Sequence, residues 1–225
     1  MTARGYAPVV RDRLVRFLGP ARAGKLKGTR LYALTRVRTG RRPESNWSDP
    51  AVDCAHPEWW HATDLDSTEL EVTELVVGFI RALQPEFVVE TGTAFGQTAR
   101  AIGRALKKNG HGHLVTLEPD PVRVRQARAV TAGLPVEVVQ LGSLDYTPTA
   151  PIDFAWFDSL IELRVEEFRR FLPFMHSGTV VGFHDTAPRF GLAPQLAELE
   201  AQGEIRAMRL PTPRGVMFAQ PARSS

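Results

Sequence analysis

Several residues able to do chemistry fall where short apolar runs end. Glu90, Glu118, Ser143, Asp158 and the pair His184-Asp185 each follow such a run. Carboxylates accept hydrogen bonds from hydroxyls, and an unperturbed imidazole titrates near ~6.5, which suits proton removal at neutral pH. After Glu90 the chain reads Thr-Gly92-Thr-Ala-Phe-Gly96-Gln-Thr98. Glycine tolerates positive φ and lets backbone approach a ligand, so Gly92 and Gly96 make a tight turn. Their G-x-x-x-G spacing differs from the G-x-G-x-x-G of pyrophosphate binders, which argues against NAD or FAD. Glu118 lies 28 residues beyond Glu90, where a carboxylate can accept both hydroxyls of a ribose. Asp120 is placed to cap the helix after it. Polar groups at successive run ends describe a nucleoside-binding crevice.

The elements that must hold these groups alternate. Residues 86–90, 113–117, 136–141, 152–157 and 179–183 predict strands. Helices are expected over 97–108, 120–130 and 195–202. Another follows 157, with Ile161, Val165, Phe168 and Leu172 on one face and Glu162, Glu166, Arg169 and Arg170 outward. Residues 205–210 and 215–219 read as a closing strand pair. Ahead of them all, Thr68 and Glu71 have capping-box spacing for a helix ending near Pro85. Strands separated by helices of this length imply right-handed crossovers and a doubly wound, mostly parallel seven-stranded α/β sheet. Its ligand crevice lies at the carboxyl ends of the strands, where the polar groups fall.

Composition fits this class. With 225 residues, 43% hydrophobic and 24% charged, the chain can bury a core. A single cysteine, Cys54, excludes a disulfide framework or a multi-thiolate zinc site. No run reaches the ~18 apolar residues of a membrane span, and no apolar h-region follows the first basic residues, so a cytoplasmic location is expected. The net charge of +3 hides a split. Residues 1–42 carry 12 Lys+Arg against one acid, Asp12, for +11; residues 43–225 carry 16 against 24, for −8. Within the basic part, Val10, Leu14, Phe17 and Leu18 have helical spacing, and Gly19-Pro20 stops the pattern. Such a segment docks as a cap, projects as a solvated arm, lies on an anionic membrane surface, or contacts nucleic acid phosphates. A polar stretch over 39–57 reads as a linker, after which Trp59 and Trp60 either cover the crevice or pin the extension to the core. The expected organisation is a basic N-terminal helical extension and linker over 1–60 and a catalytic domain over 61–225.

The phrases VVETGTAFGQTARAIGRAL, HLVTLEPDPVRVRQAR, LGSLD, IDFAWFDS and LPFMHSGTVVGFHDT give the chain a resemblance to class I S-adenosylmethionine-dependent methyltransferases. It is most similar to the small-molecule O-methyltransferases of the catechol and macrolide-sugar type, over about residues 70–219. The resemblance implies a Rossmann-like methyltransferase fold, S-adenosylmethionine as cofactor and a small-molecule hydroxyl as acceptor. It places Glu90, Gly92 and Gly96 under the methionine portion, Thr98 at its carboxylate, Glu118 on the ribose and Ser143 on the adenine. Asp158 and Asp185 stand where metal-dependent relatives bind Mg²⁺, a hard cation suited to carboxylate oxygens. Two departures bear on the metal: Thr186 replaces an amide after the second aspartate, and Ser159 follows Asp158 where many relatives continue Gly-Asp-His. His184 is the candidate base, with Asp158 beside it in the catalytic set. An RNA substrate recruited by residues 1–42, a non-catalytic nucleoside-binding homologue and a homodimer are the remaining readings.

Overall fold

The computed structural model describes residues 50–63 and 67–222; the basic segment with its expected helix lies outside the described residues. The chain divides into two units, Met1–Arg41 and Arg42–Ser225, and everything described belongs to the second.

The middle strand of its sheet, β1 (Phe87–Thr91), is buried along its whole length. It pairs in parallel with β2 (His113–Leu117) on one side and β4 (Ile152–Phe157) on the other. Beyond β2 lies β3 (Val136–Val139); beyond β4 lies β5 (Met175–His184), also parallel. An antiparallel pair, β6 (Ile205–Leu210) and β7 (Val216–Pro221), completes the seven-stranded order β3-β2-β1-β4-β5-β7-β6. The expected doubly wound, mostly parallel sheet is thus the observed one. Because the chain winds outward from β1 in one direction and from β4 in the other, the switch point lies between those strands. A crevice opens there, beyond their carboxyl ends.

Both faces of the sheet are covered, which is why its strands read as nearly continuous apolar runs. Val88, Leu114, Phe154 and Trp156 belong to one buried cluster with Val76 and Ile80 of α1 (Leu70–Leu83) and Ile102 and Leu106 of α2 (Gln97–Asn109). Val89, Val115, Ala155 and Phe157 point the other way. They join Phe168 and Phe171 of α4 (Arg164–Phe171) and Leu196 of α5 (Ala193–Ala201). Between α2 and α4, α3 (Pro121–Thr131) packs Val124 and Ala127 on Val138. Asp120 caps it, accepting from the amides of Val122 at 2.7 Å and Arg123 at 3.3 Å, as expected.

One local expectation is corrected. The capping box at α1 does not form: Thr68 donates instead to Asp158 Oδ2 at 2.7 Å, and Glu71 accepts the backbone N–H of His61 at 2.9 Å. A carboxylate in the crevice competes for the hydroxyl that would otherwise cap the helix. The face expected of α4 does turn inward: Phe168, Val165 and the flanking Ile161 and Leu172 pack on the core while Glu162, Glu166, Arg169 and Arg170 are exposed. The helix also buries Arg164 and Glu167, a charged pair that apolar periodicity cannot reveal. Of the tandem tryptophans, Trp60 packs on the core near α1, whereas Trp59 stacks on His56 and stays 66% exposed. The Ala51 amide donates to Pro213 O at 2.9 Å, which ties this stretch to the loop before β7.

Candidate active site

The turn after β1 is built by close approach. Gly92 has φ +84°, and a Cβ there would lie 2.3 Å from the backbone oxygen of Asp158 at the end of β4. Only glycine allows these two strand ends to touch in that conformation. Gly96, with φ +82°, precedes α2 and leaves room for Ala127 of α3. Between them, Ala94 also takes positive φ, at 48°, and its amide donates to Glu118 Oε2 at 2.9 Å. Glu118 Oε1 accepts from the Asp120 amide at 3.0 Å, and Arg123 lies 3.7 Å from Oε2. Burial raises the Glu118 pKa, opposed by Arg123 and the two amides.

Glu90 lies deeper and is 1% exposed; it accepts from Thr116 on the neighbouring strand at 2.5 Å. Burial pushes its pKa up to about 8; the Thr116 hydroxyl opposes this, while Asp158 and Glu118 add to it. Thr98 is buried in the first turn of α2, with its hydroxyl 3.3 Å from that of Thr68. Ser143 opens a short turn after β3 and donates to Glu167. Glu167 also accepts from Ser159 at 2.6 Å and Thr91 at 2.9 Å, so this buried acid on α4 is satisfied by three hydroxyls.

A second, denser cluster lies at the ends of β4 and β5. Asp158 Oδ1 is 3.0 Å from His184 Nδ1 and 3.1 Å from Arg164 Nη2, while Oδ2 takes the Thr68 hydroxyl. His184 Nε2 is 2.5 Å from Glu69 Oε2. Asp185, in the left-handed region at φ 57°, accepts from Arg164 Nη2 at 3.0 Å and Arg214 Nε at 2.6 Å. Glu69 Oε1 also takes the Arg214 amide at 3.1 Å. Burial alone would lower the His184 pKa; Asp158, Asp185 and Glu69 overcome it and push it up to about 9. Asp185 is shifted the other way: burial raises its pKa, but Arg214, His184 and Arg164 hold it well below the usual carboxylate range. The balance is three acids, Glu69, Asp158 and Asp185, against Arg164, Arg214 and an imidazolium.

The structure therefore gathers the sequence-predicted residues into two adjoining groups, Glu90, Gly92, Gly96, Thr98 and Glu118 around the β1 turn and Asp158, His184 and Asp185 beside it. Ser143 joins them only indirectly, through Glu167 and Ser159. His184 is fully buried with both ring nitrogens on carboxylates, whereas Asp158, 12% exposed, is the acid of its cluster that reaches the crevice. Glu69, Arg164 and Arg214 were not foreseen. Nothing in the sequence sets Glu69 apart from a helix start, or Arg214 from a loop charge. Arg164 could be suspected only because it lies four residues before Phe168 on the buried face.

The cofactor and the metal fare differently here. The tight turn after β1, whose Ala94 amide meets a buried acid at the end of β2, suits a nucleoside with a polar tail. For a divalent cation, Asp158, His184 and Asp185 bring ligand atoms within 4.8 Å of one another. Yet every oxygen of both aspartates is already engaged by Arg164, Arg214, His184 or Thr68. As arranged, these residues do not fit Mg²⁺.

Residues 89–186, from β1 through the turn after Asp185, match the family model described as a methyltransferase domain. The O-methyltransferase TomG from Streptomyces achromogenes, involved in tomaymycin synthesis and solved with SAM, is 22% identical. The match covers 70% of this chain and 82% of that one, with a TM-score of 0.61. The O-methyltransferase from Bacillus cereus, solved with SAH, is 21% identical over 70% and 84% of the two chains, with a TM-score of 0.61. SAH-bound PaMTH1 from Podospora anserina gives 16% identity, coverage of 70% and 80%, and a TM-score of 0.61. No curated protein sequence matches the chain. The chain carries a methyltransferase domain, in the doubly wound fold of the class I methyltransferases. Among the described residues no helix is long and apolar enough to cross a membrane.

Proposed function

We propose that this chain transfers the methyl group of S-adenosylmethionine to a hydroxyl oxygen of a small molecule. The observation that carries the reading is the glycine turn of β1 facing Glu118 at the switch point, inside the span that matches a methyltransferase domain. O-methyltransferases among the structural neighbours support the oxygen acceptor.

When bound, the cofactor supplies a methyl group already activated on a sulfonium. The protein has to align it with the acceptor and accept a proton. Glu118 takes the ribose hydroxyls, its carboxylate pre-aimed by the amides of Ala94 and Asp120. The Gly92–Gly96 turn lets backbone approach the methionine portion, and Thr98 meets its carboxylate where the α2 dipole favours an anion. Ser143 donates to Glu167 and so retains a lone pair for the adenine amino group. Asp158 holds the acceptor hydroxyl and takes its proton. His184 donates both ring N–H groups to carboxylates and acts as the fixed cation behind Asp158 rather than as the base.

Calorimetric titration with S-adenosylhomocysteine tests the reading. Glu118→Ala is expected to weaken binding roughly 10- to 100-fold, the scale of a hydrogen bond to a charged group at ~1.5–3 kcal/mol. Unchanged affinity in the variant removes the ribose assignment, and no binding by the parent chain removes the cofactor.

A further inference from the structure

A guanidinium bridges the carboxylates at the ends of β4 and β5. Arg164 Nη2 lies 3.1 Å from Asp158 Oδ1 and 3.0 Å from Asp185 Oδ2. The rest of that fork is spent on backbone: Nη1 donates to His184 O, while Nε and Nη2 donate to Ser159 O. Arg164 is 1% exposed, so its charge is held entirely by this frame. From the turn before β7, Arg214 closes the other side, with Nε 2.6 Å from Asp185 Oδ1 and Nη1 2.9 Å from Ser67 O.

A magnesium ion would need near-octahedral oxygens at ~2.0–2.1 Å and would keep several waters. To reach both aspartates it would have to displace Arg164 Nη2. That move would leave a buried guanidinium without its carboxylates and beside a dication, both unfavourable in a low-dielectric site. Asp185 contributes further, because both of its carboxylate oxygens are held by arginines, Oδ2 by Arg164 and Oδ1 by Arg214.

We propose that Arg164 is the built-in cation of this site: it bridges Asp158 and Asp185 in place of a divalent ion, and methyl transfer here needs no divalent metal. The first half stands on the cluster alone; the second rests on the methyl-transfer reading above. Arg164 is then a positioning residue, fixing the Asp158 carboxylate that meets the acceptor. It follows that an acceptor gains nothing from a second oxygen able to chelate, so a single hydroxyl suffices.

The test is a titration of the full chain, stripped with EDTA, with Mn²⁺, the free ion being read by electron paramagnetic resonance. Wild type is expected to take up no Mn²⁺ at this site through the millimolar range. Uptake of one ion per chain that Asp158→Asn abolishes overturns the proposal. Arg164→Met leaves the two carboxylates unbridged and is expected to gain one Mn²⁺ per chain, lost again in Arg164→Met/Asp158→Asn. A folded Arg164→Met chain, judged by circular dichroism, that gains none overturns the claim that the guanidinium occupies the ion's place. The wild-type and Asp158→Asn titrations decide without any Arg164 variant, so an Arg164 variant that does not fold leaves the proposal exposed to them. Binding of S-adenosylhomocysteine in EDTA is measured separately. Its absence removes the methyltransferase reading while the Mn²⁺ result still reports on Arg164.

Discussion

Glu90 shows what a single buried acid does to this domain. Its side chain accepts one hydroxyl, from Thr116, and has no cation beside it among its named interactions, so burial raises its pKa from 4.5 to about 8. Between those values the folded chain keeps a proton that the unfolded chain has released. Stability therefore falls as pH rises from 4.5 toward 8, and levels off above it. Glu90→Gln, neutral at every pH, is expected to flatten that slope relative to wild type. Urea midpoints at pH 6 and pH 8 measure it, and equal slopes in the two proteins contradict the assignment. Glu90 also shows what was legible at this scale. An acid that ends an apolar run is conspicuous, and Glu90, Glu118, Asp158 and Asp185 were all found that way. Glu69, Arg164 and Arg214 lie in segments where a charge is ordinary, and only the fold brings them onto the same carboxylates.

Among the elements, the strand-end turns carry the tightest tolerances. Gly92 and Gly110 have nearly the same φ, +84° and +83°, but a Cβ at Gly92 would overlap the Asp158 carbonyl while one at Gly110 meets nothing within 4 Å. Gly110→Ala, at the end of α2, is therefore expected to lose only the left-handed penalty of about 1–2 kcal/mol. Gly92→Ala should lose roughly 1–3 kcal/mol more from overpacking, and with it cofactor affinity. Paired denaturation curves measure the difference, and similar losses at both positions would show that the β1 and β4 ends are not in the contact described. The seven strands and most of their boundaries were legible because strands buried on both faces read as apolar runs; Ile152–Phe157 and Ile205–Leu210 match the expected bounds. The start of β5 was not, because His176, Ser177 and Gly178 lie at its more exposed end and carry no apolar pattern. The apolar face of α4 was legible, but not the arginine and glutamate it also buries, which the site needs and a hydrophobic pattern hides.

At the scale of the whole molecule, charge and chemistry are divided. The match to a methyltransferase domain and every named site residue lie within residues 67–214, in the acidic part of the chain, while the +11 of residues 1–42 lies outside that span. The described core closes on itself: both faces of the sheet are covered by helices from residue 70 onward. A chain beginning at residue 43, with its net charge of −8, is therefore expected to fold and to bind S-adenosylhomocysteine within about twofold of the full chain, a change below the ~1.4 kcal/mol of a tenfold step. What it should lose is salt-dependent adhesion to polyanions. Contacts between Lys or Arg and phosphates release counterions, so affinity falls steeply with salt where they operate. Elution of the two chains from heparin along a salt gradient, beside calorimetry with S-adenosylhomocysteine, separates the alternatives. A truncated chain that loses cofactor binding makes residues 1–42 a working part of the methyltransferase domain. One that keeps binding but elutes early makes them an arm whose charge acts on something other than the cofactor.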